Sequence, residues 1–582
     1  MADHDLVIRG GTVVDGTGAA ARTADVAVDG ERIVDVGRVA GTGAREIEAD
    51  GLLVTPGFVD IHSHYDGQAT WDSRLLPSAH HGVTTVVFGN CGVGFAPVHP
   101  HHRQRLIELM EGVEDIPGTA LHEGMTWGWE SFGEYLDALG QRHWTMDVGT
   151  QVPHAAVRAY VMGERAATER ATAQDVARMR SIVREGMAAG ALGFSTTRML
   201  AHRSIKGEVV PGTFASEEEL SALAGVLKDL DTGVFEVVPR GMDGEVSEDA
   251  HAEIDWMARI AEATGRPLAF SLVQTHTEID RWRIFLDRAA AVQARGVPLY
   301  PVVAARPTGI LFGLQSMFTP FSTRPGYQAL EHLPLADRVA EMRKPQVRGA
   351  ILSEPNGRYR SEPMQEMHEN FANMFAIAKL IDWEPTAGQT LAALAAEAGM
   401  SAEAYCYDHM LGDEGKNLIL YPYTNYSYRR MDEVHDMLSH PASIFGLGDG
   451  GAHCSIACDA GSTTLALAFW TRDRSKGPKL DLGQAVRMMT SSTAELYGLN
   501  DRGRIAPGYR ADLNIIDYDA LELLLPEMVW DLPTGARRIM QRAKGYVATF
   551  AGGVQTIAND RLTGALPRRL LRGARPAPQA RA

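Results

Sequence analysis

TPGFVDIHSHYDG, residues 55–67, runs a short apolar segment straight into His62 and His64. In a strand, residues i and i+2 share one face, so both imidazoles can point at one ion. Barrel enzymes carry their sites at the C-terminal ends of parallel strands, which is where this pair falls if Phe58–Ile61 is such a strand. A bare His-x-His is as often two surface histidines at a strand end, so the flanking sequence has to decide.

Upstream, DLVIRGGTVVDG (5–16) and ADVAVDGERIVDVG (24–37) are β-branched, alternating and broken by glycine turns. They predict a small antiparallel sheet ending near Thr55. Downstream, to about residue 495, short apolar runs alternate with helical stretches such as TAQDVARMRSIVREGMAAG (172–190). That alternation predicts βα units around a parallel sheet, and its length suits a (β/α)8 barrel with insertions. GRIAPGYRADLNIIDYD (503–519) and YVATFAGGVQTIAND (546–560) return to strands. The expected architecture is therefore α/β: a TIM-like barrel over 56–495, and a small β-sandwich built from 1–55 and 496–560. GALPRRLLRGARPAPQARA (564–582) has little to bury, and residues 561–582 read as a flexible tail or an arm on a neighbouring subunit of a homo-oligomer.

Composition narrows the partners. The 582 residues carry a formal charge of -17, which repels phosphate backbones, so nucleic acid is excluded as a partner. Four cysteines, none in a CxxC pair, make no disulfide framework and suit a reducing, cytoplasmic setting. The N-terminus MADHDLVIRGGTVVDGTG lacks the basic patch and apolar stretch of a signal peptide. No run of ~18 apolar residues exists, so no membrane association is expected.

A second chemical feature is SIFGLGDGGAHCSIACDAG (443–461), where a β-type run ends in Asp449 among glycines. A carboxylate there can bind a metal and take the proton of a metal-activated water. Gly-Asp-Gly-Gly alone is more often a turn. His453 and Asp459 follow on the same loop, where His453 can orient Asp449, contact the oxyanion or merely brace the loop.

Taken together, GGTVVDGTG, PGFVDIHSH, Asp449 and GRIAPGYRADLNIID resemble the amidohydrolase superfamily over nearly the whole chain. HHGVTTVVFGNCGVGFAPV (80–98), PHAAVRAYVMG (153–163), GALGFSTTRM (190–199) and MDEVHDMLSHP (431–441) are similar to its N-acyl-D-amino-acid deacylase (D-aminoacylase) branch. The resemblance implies that His62, His64 and Asp449 bind one metal and that Cys91 is a thiolate ligand to it or to a second ion. One or two zinc ions suit such a mixed donor set. It also implies a small-molecule amide substrate, with Asp449 as the base that activates water and as the acid that protonates the leaving nitrogen. A cyclic amidase, lactonase or deaminase on the same barrel, or a non-catalytic member, are the other readings.

This sequence departs from the branch at three places. Two strand-end histidines are expected in segments matching GVFEVVPRG (233–241) and PLAFSLVQTH (267–276), yet the first has none and His276 arrives late. Glu236, Gln274 or His276 are the substitutes on offer, Glu236 being equally readable as an Arg-paired core carboxylate. His154 is a pocket or a core histidine. The loop after Asp449 lacks the arginine expected for a substrate carboxylate, which leaves Arg198, Arg240 and Arg306 as candidates. The aromatic-rich stretches 305–321 and 417–433 read as a lid, a wall or interdomain packing.

Overall fold

Alternating apolar residues bury one face of the first strands, and glycine turns fold them back on one another. In the computed structural model, which describes residues 2–242, 244, 249–359, 362–379 and 381–579, His4–Val13, Arg22–Asp29 and Arg32–Gly37 form an antiparallel meander with Val7 opposite Ala27. Leu53–Pro56 then pairs with Leu513–Ile516, placing Val54 opposite Ile515. Both ends of the chain thus enter one nine-stranded sheet, continued by Tyr546–Ala551, Val554–Ala558 and Arg561–Leu562. Ile8, Val26 and Val54 pack with Leu513, Ile515 and Phe550 in a single core.

The central unit is parallel. Phe58–Asp60, Val83–Phe88 and Asp147–Thr150 pair side by side. Val152–Pro153 follows at once and begins a second parallel run through Gly193–Thr197, Val234–Val238, Leu268–Leu272, Leu299–Val303 and Ile444–Phe445. These strands are buried almost throughout, because helices cover their outer face. Thr172 and Ser216 start two of those helices by capping them, and in the first Asp175 completes a reciprocal capping box. The last strand runs back beside the first: His64 N–H donates to Gly450 O at 2.7 Å, and Asp449 N–H to His62 O at 2.9 Å.

Between Leu299–Val303 and Ile444–Phe445 the chain detours through an inserted subdomain. Here the two aromatic-rich stretches meet: Gly309–Phe312 pairs antiparallel with Leu418–Pro422, Ile310 facing Tyr421. Phe312, Phe321, Tyr407 and Tyr421 fill its own core. Packing, rather than an open acyl-binding wall, is what these aromatics do.

The expected loose tail is tied down over 568–575. Arg568 exchanges backbone hydrogen bonds with Trp144 at 3.0 Å in each direction, Leu571 N–H donates to Val148 O at 2.7 Å, and Arg575 N–H donates to Gly498 O at 2.8 Å. The Arg568 guanidinium and Arg502, at 2.8 Å, clasp buried Asp147. Burial alone would raise the Asp147 carboxyl, but Arg502, Arg568 and Arg510 carry it down to about 2. Residues 580–582 lie outside the described residues. Among the described residues, no helix is long and apolar enough to cross a membrane.

Candidate active site

The strand Phe58–Asp60 delivers His62 and His64 to the C-terminal end of the parallel set, both buried. Asp60 Oδ1 accepts the His62 N–H at 3.1 Å and fixes the turn between strand and ligands. The next strand, Val83–Phe88, ends in Gly89-Asn90-Cys91-Gly92. Asn90 pins this segment against the histidine pair by donating from Nδ2 to Ser63 O at 3.0 Å, while Gln151 donates to Asn90 Oδ1 at 2.7 Å. Cys91 takes a left-handed backbone with φ 54°, uncommon outside glycine, and so turns its sulfur inward. Asp449 has φ 47°, and neighbouring Gly451 sits where a Cβ would come within 2.8 Å of His64 O.

Cys91 Sγ lies 3.4 Å from His62 Nε2 and 3.8 Å from His64 Nε2. Asp449 Oδ1 approaches the same two nitrogens at 3.3 and 3.6 Å. Ligands bound tetrahedrally to zinc at ~2.0–2.3 Å stand about 3.3–3.8 Å apart, so the separations within His62, His64 and Cys91 suit one ion's coordination sphere, with Asp449 reaching it from the side of the two histidines. The donor chemistry agrees. Burial pushes the Cys91 thiol well above its ordinary value, with Glu114, Glu236 and Asp449 adding to it, and it pushes Glu236 up to about 8. Two imidazoles with a thiol and carboxylates beside them are the donor types that hold a divalent cation. Against the same burial, His64, His62 and His453 hold Asp449 well below the usual carboxylate range.

Other expected residues stand elsewhere. Glu236 is not packed in an Arg pair: its Oε2 accepts the Cys91 N–H at 3.0 Å, and its Oε1 lies 3.9 Å from His62 Nδ1, on the side of the ring away from the Nε2 donors. Glu236 therefore stands beside the histidine–cysteine group without joining it, and its hydrogen bond ties the Cys91 backbone in place. His154 is not brought to the ligand atoms, since its Nδ1 bonds Thr196 Oγ1 at 2.9 Å and its Nε2 bonds Glu219 Oε1 at 3.1 Å. His453 borders the site, but its partner is Glu114 at 4.0 Å rather than Asp449. His276 bonds Pro422 O at 3.0 Å in a loop role.

The three arginines separate. Arg306 is buried 2.8 Å from Asp459, donates to Cys458 O at 2.6 Å and stacks over Trp383, so it is not free for a substrate carboxylate. Arg198 is spent on Glu253 at 3.0 Å and on Ala215 O. Arg240 lies over the Phe214 ring and has no acidic partner among the described residues.

Two residues had no motif to announce them. Glu114, at the C-terminus of the helix Arg103–Glu114, reaches His64 Nδ1 at 3.5 Å. His202, bonded to Thr197 Oγ1 at 2.9 Å, lies near enough for His453 and His64 to reinforce the burial that pulls its imidazole down to about 3. An acidic helix end and a loop histidine look in sequence like ordinary surface residues.

Known proteins resemble this chain in sequence and fold. Residues 45–556 match the Amidohydrolase family. D-aminoacylase of Alcaligenes xylosoxydans xylosoxydans is 37% identical over 195 residues, 33% of this chain but only 37% of that protein's length. N-acyl-D-glutamate deacylase of the same organism is 28% identical over 545 residues, 91% of this chain and 90% of that protein. The crystal structure of N-acyl-D-glutamate deacylase from Bordetella bronchiseptica, complexed with zinc and a phosphonate inhibitor, superposes with a TM-score of 0.63 at 22% identity, covering 98% of this chain and 99% of that one. With the family matched over residues 45–556, and two histidines, a cysteine and an aspartate brought together from the ends of three strands, this chain belongs to the amidohydrolase family.

Proposed function

We propose that this protein is a metal-dependent hydrolase of a non-peptide carbon–nitrogen bond, acting as an N-acyl-D-amino-acid deacylase on a small-molecule amide. The observation that carries the reading is the convergence of Cys91 Sγ and Asp449 Oδ1, each within 3.3–3.8 Å of His62 Nε2 and His64 Nε2. The names of the relatives, including a zinc-bound deacylase, support the choice of reaction and metal. We infer further that the parallel strands close into a (β/α)8 barrel, an inference supported by the Ser63–Gly450 bridge between the first and last of them. The flanking sheet then wraps as a small β-sandwich around its single core.

In this reading His62, His64, Cys91 and Asp449 hold the ion. When bound, the ion supplies Lewis acidity toward the amide carbonyl and makes water easier to deprotonate. Asp449 accepts the proton of the attacking water and passes it to the leaving nitrogen, a task that its position beside both histidines suits. Glu236 holds His62 and the Cys91 backbone in place. Arg240, the candidate without an acidic partner among the described residues, is the group we assign to a substrate carboxylate.

The deciding experiment combines metal analysis with a panel of N-acyl-D- and N-acyl-L-amino acids, cyclic imides and lactones. Bound zinc and chelator-sensitive turnover of the D-acyl substrates are expected. Asp449→Asn should still fold while losing at least ~10²-fold in kcat, the low end of what a general base contributes. A metal-free protein whose activity ignores chelators would sink the proposal.

A further inference from the structure

Glu114 is 2% exposed, and its Oε1 has no hydrogen-bond partner among the described residues. The Nδ1 of His64, 1% exposed, also has none, and the two atoms face each other at 3.5 Å. An unpaired polar atom in the interior is costly, so a donor–acceptor pairing is the arrangement that satisfies both. The pairing fixes the proton on Nδ1 and leaves the Nε2 lone pair directed at Cys91 and Asp449.

The same helix end also grips the loop that carries Asp449. Glu114 O accepts the His453 N–H at 2.5 Å, and Glu114 Oε2 lies 4.0 Å from His453 Nε2. Next to it, Asp115, in a left-handed turn with φ 51°, accepts from Ser455 N at 2.7 Å and from Ser455 Oγ at 2.9 Å. A helix outside the strand set therefore touches the metal-ligand pair and the Asp449 loop through one residue.

We propose that Glu114 is a positioning residue: its carboxylate locks His64 in the Nε2-ligating tautomer and orientation, and ties that ligand to the Asp449 loop. The proposal rests on the hydrolase reading above and adds a residue to it. Glu114 touches neither substrate nor the reacting atoms, so its effect passes through His64.

The test compares the metal-stripped full chain of wild type, Glu114→Gln and Glu114→Leu. Zinc affinity is measured by competition with a chromophoric chelator, and the ligand field is read from the visible spectrum of the cobalt-substituted forms. We expect zinc affinity about 10-fold weaker in the glutamine variant and nearer 100-fold weaker in the leucine variant, the range seen when outer hydrogen-bond partners of metal ligands are removed. The cobalt bands should shift while the unfolding midpoint of the metal-free glutamine variant stays that of wild type. A merely structural carboxylate would lower that midpoint and leave the cobalt spectrum unmoved, which counts against the proposal. If the leucine variant does not fold, the near-isosteric glutamine variant decides alone. A wild type that binds zinc, with a glutamine variant that binds it equally, overturns the role of Glu114. A wild type that binds no zinc overturns the hydrolase reading itself.

Discussion

Arg306 and Arg240 differ in what their charge already answers to. Arg306 is buried against Asp459, so replacing it with methionine strands a buried carboxylate and should cost about 3–5 kcal/mol of stability. Arg240 has no such partner among the described residues, and Arg240→Ala should leave the urea midpoint alone while raising KM for acylated amino acids. Urea melts and steady-state kinetics on the two variants check the assignment; a stable Arg306→Met enzyme with raised KM would reverse it. Single residues were also where the sequence was hardest to read. His62, His64, Cys91 and Asp449 stand in recognisable segments at strand ends, so their meeting was legible. Glu114 and His202 meet them only through the packing of distant loops, and His154 carried a motif but spends both nitrogens on Thr196 and Glu219.

At the level of elements, the turn before Val83–Phe88 is joined to the C-terminal strands through His81. Its Nε2 bonds Gln541 O at 3.0 Å and must donate there, so its Nδ1 accepts from Thr464 Oγ1 at 2.9 Å. Burial, with His80 adding to it, carries the His81 imidazole from an ordinary 6.5 down to about 3. The unfolded chain therefore binds a proton between those values that the folded chain refuses. The stability from this group is whole above pH 6.5 and drains away as pH falls toward about 3. Urea midpoints at about pH 8 and about pH 5 should differ more in wild type than in His81→Asn; equal differences would show that His81 is not the group responsible. The alternation of strands and capped helices predicted this layer well, because Thr172 and Ser216 mark their helices locally. The inserted subdomain was less legible, since Gly309–Phe312 and Leu418–Pro422 are over a hundred residues apart and pair only in three dimensions.

For the molecule as a whole, both ends of the chain act as fasteners. Deleting residues 564–582 removes Arg568 from buried Asp147 and the backbone ties to Trp144, Val148 and Gly498. The loss should be at least ~3 kcal/mol, seen as a lower urea midpoint, whereas a loose tail would be dispensable. Its composition of arginine, proline and alanine hid this, because strap and tail look alike until the acid that one arginine answers is known. Zinc should act in the same direction: if the ion binds only the folded chain, chelation lowers Tm, the loss following the logarithm of the free metal concentration.

The backbone exchange of His62 and His64 with Asp449 and Gly450 joins residues nearly four hundred positions apart. Closing so long a loop is among the last and slowest events available to a chain of this kind. The four donors of the proposed ligand set are therefore stitched together by contacts between distant parts of the chain. In the proposed reading, a nascent chain can offer the ion all four donors only after the inserted subdomain and the last strand have been made, so metal retention would report on chains synthesised past both.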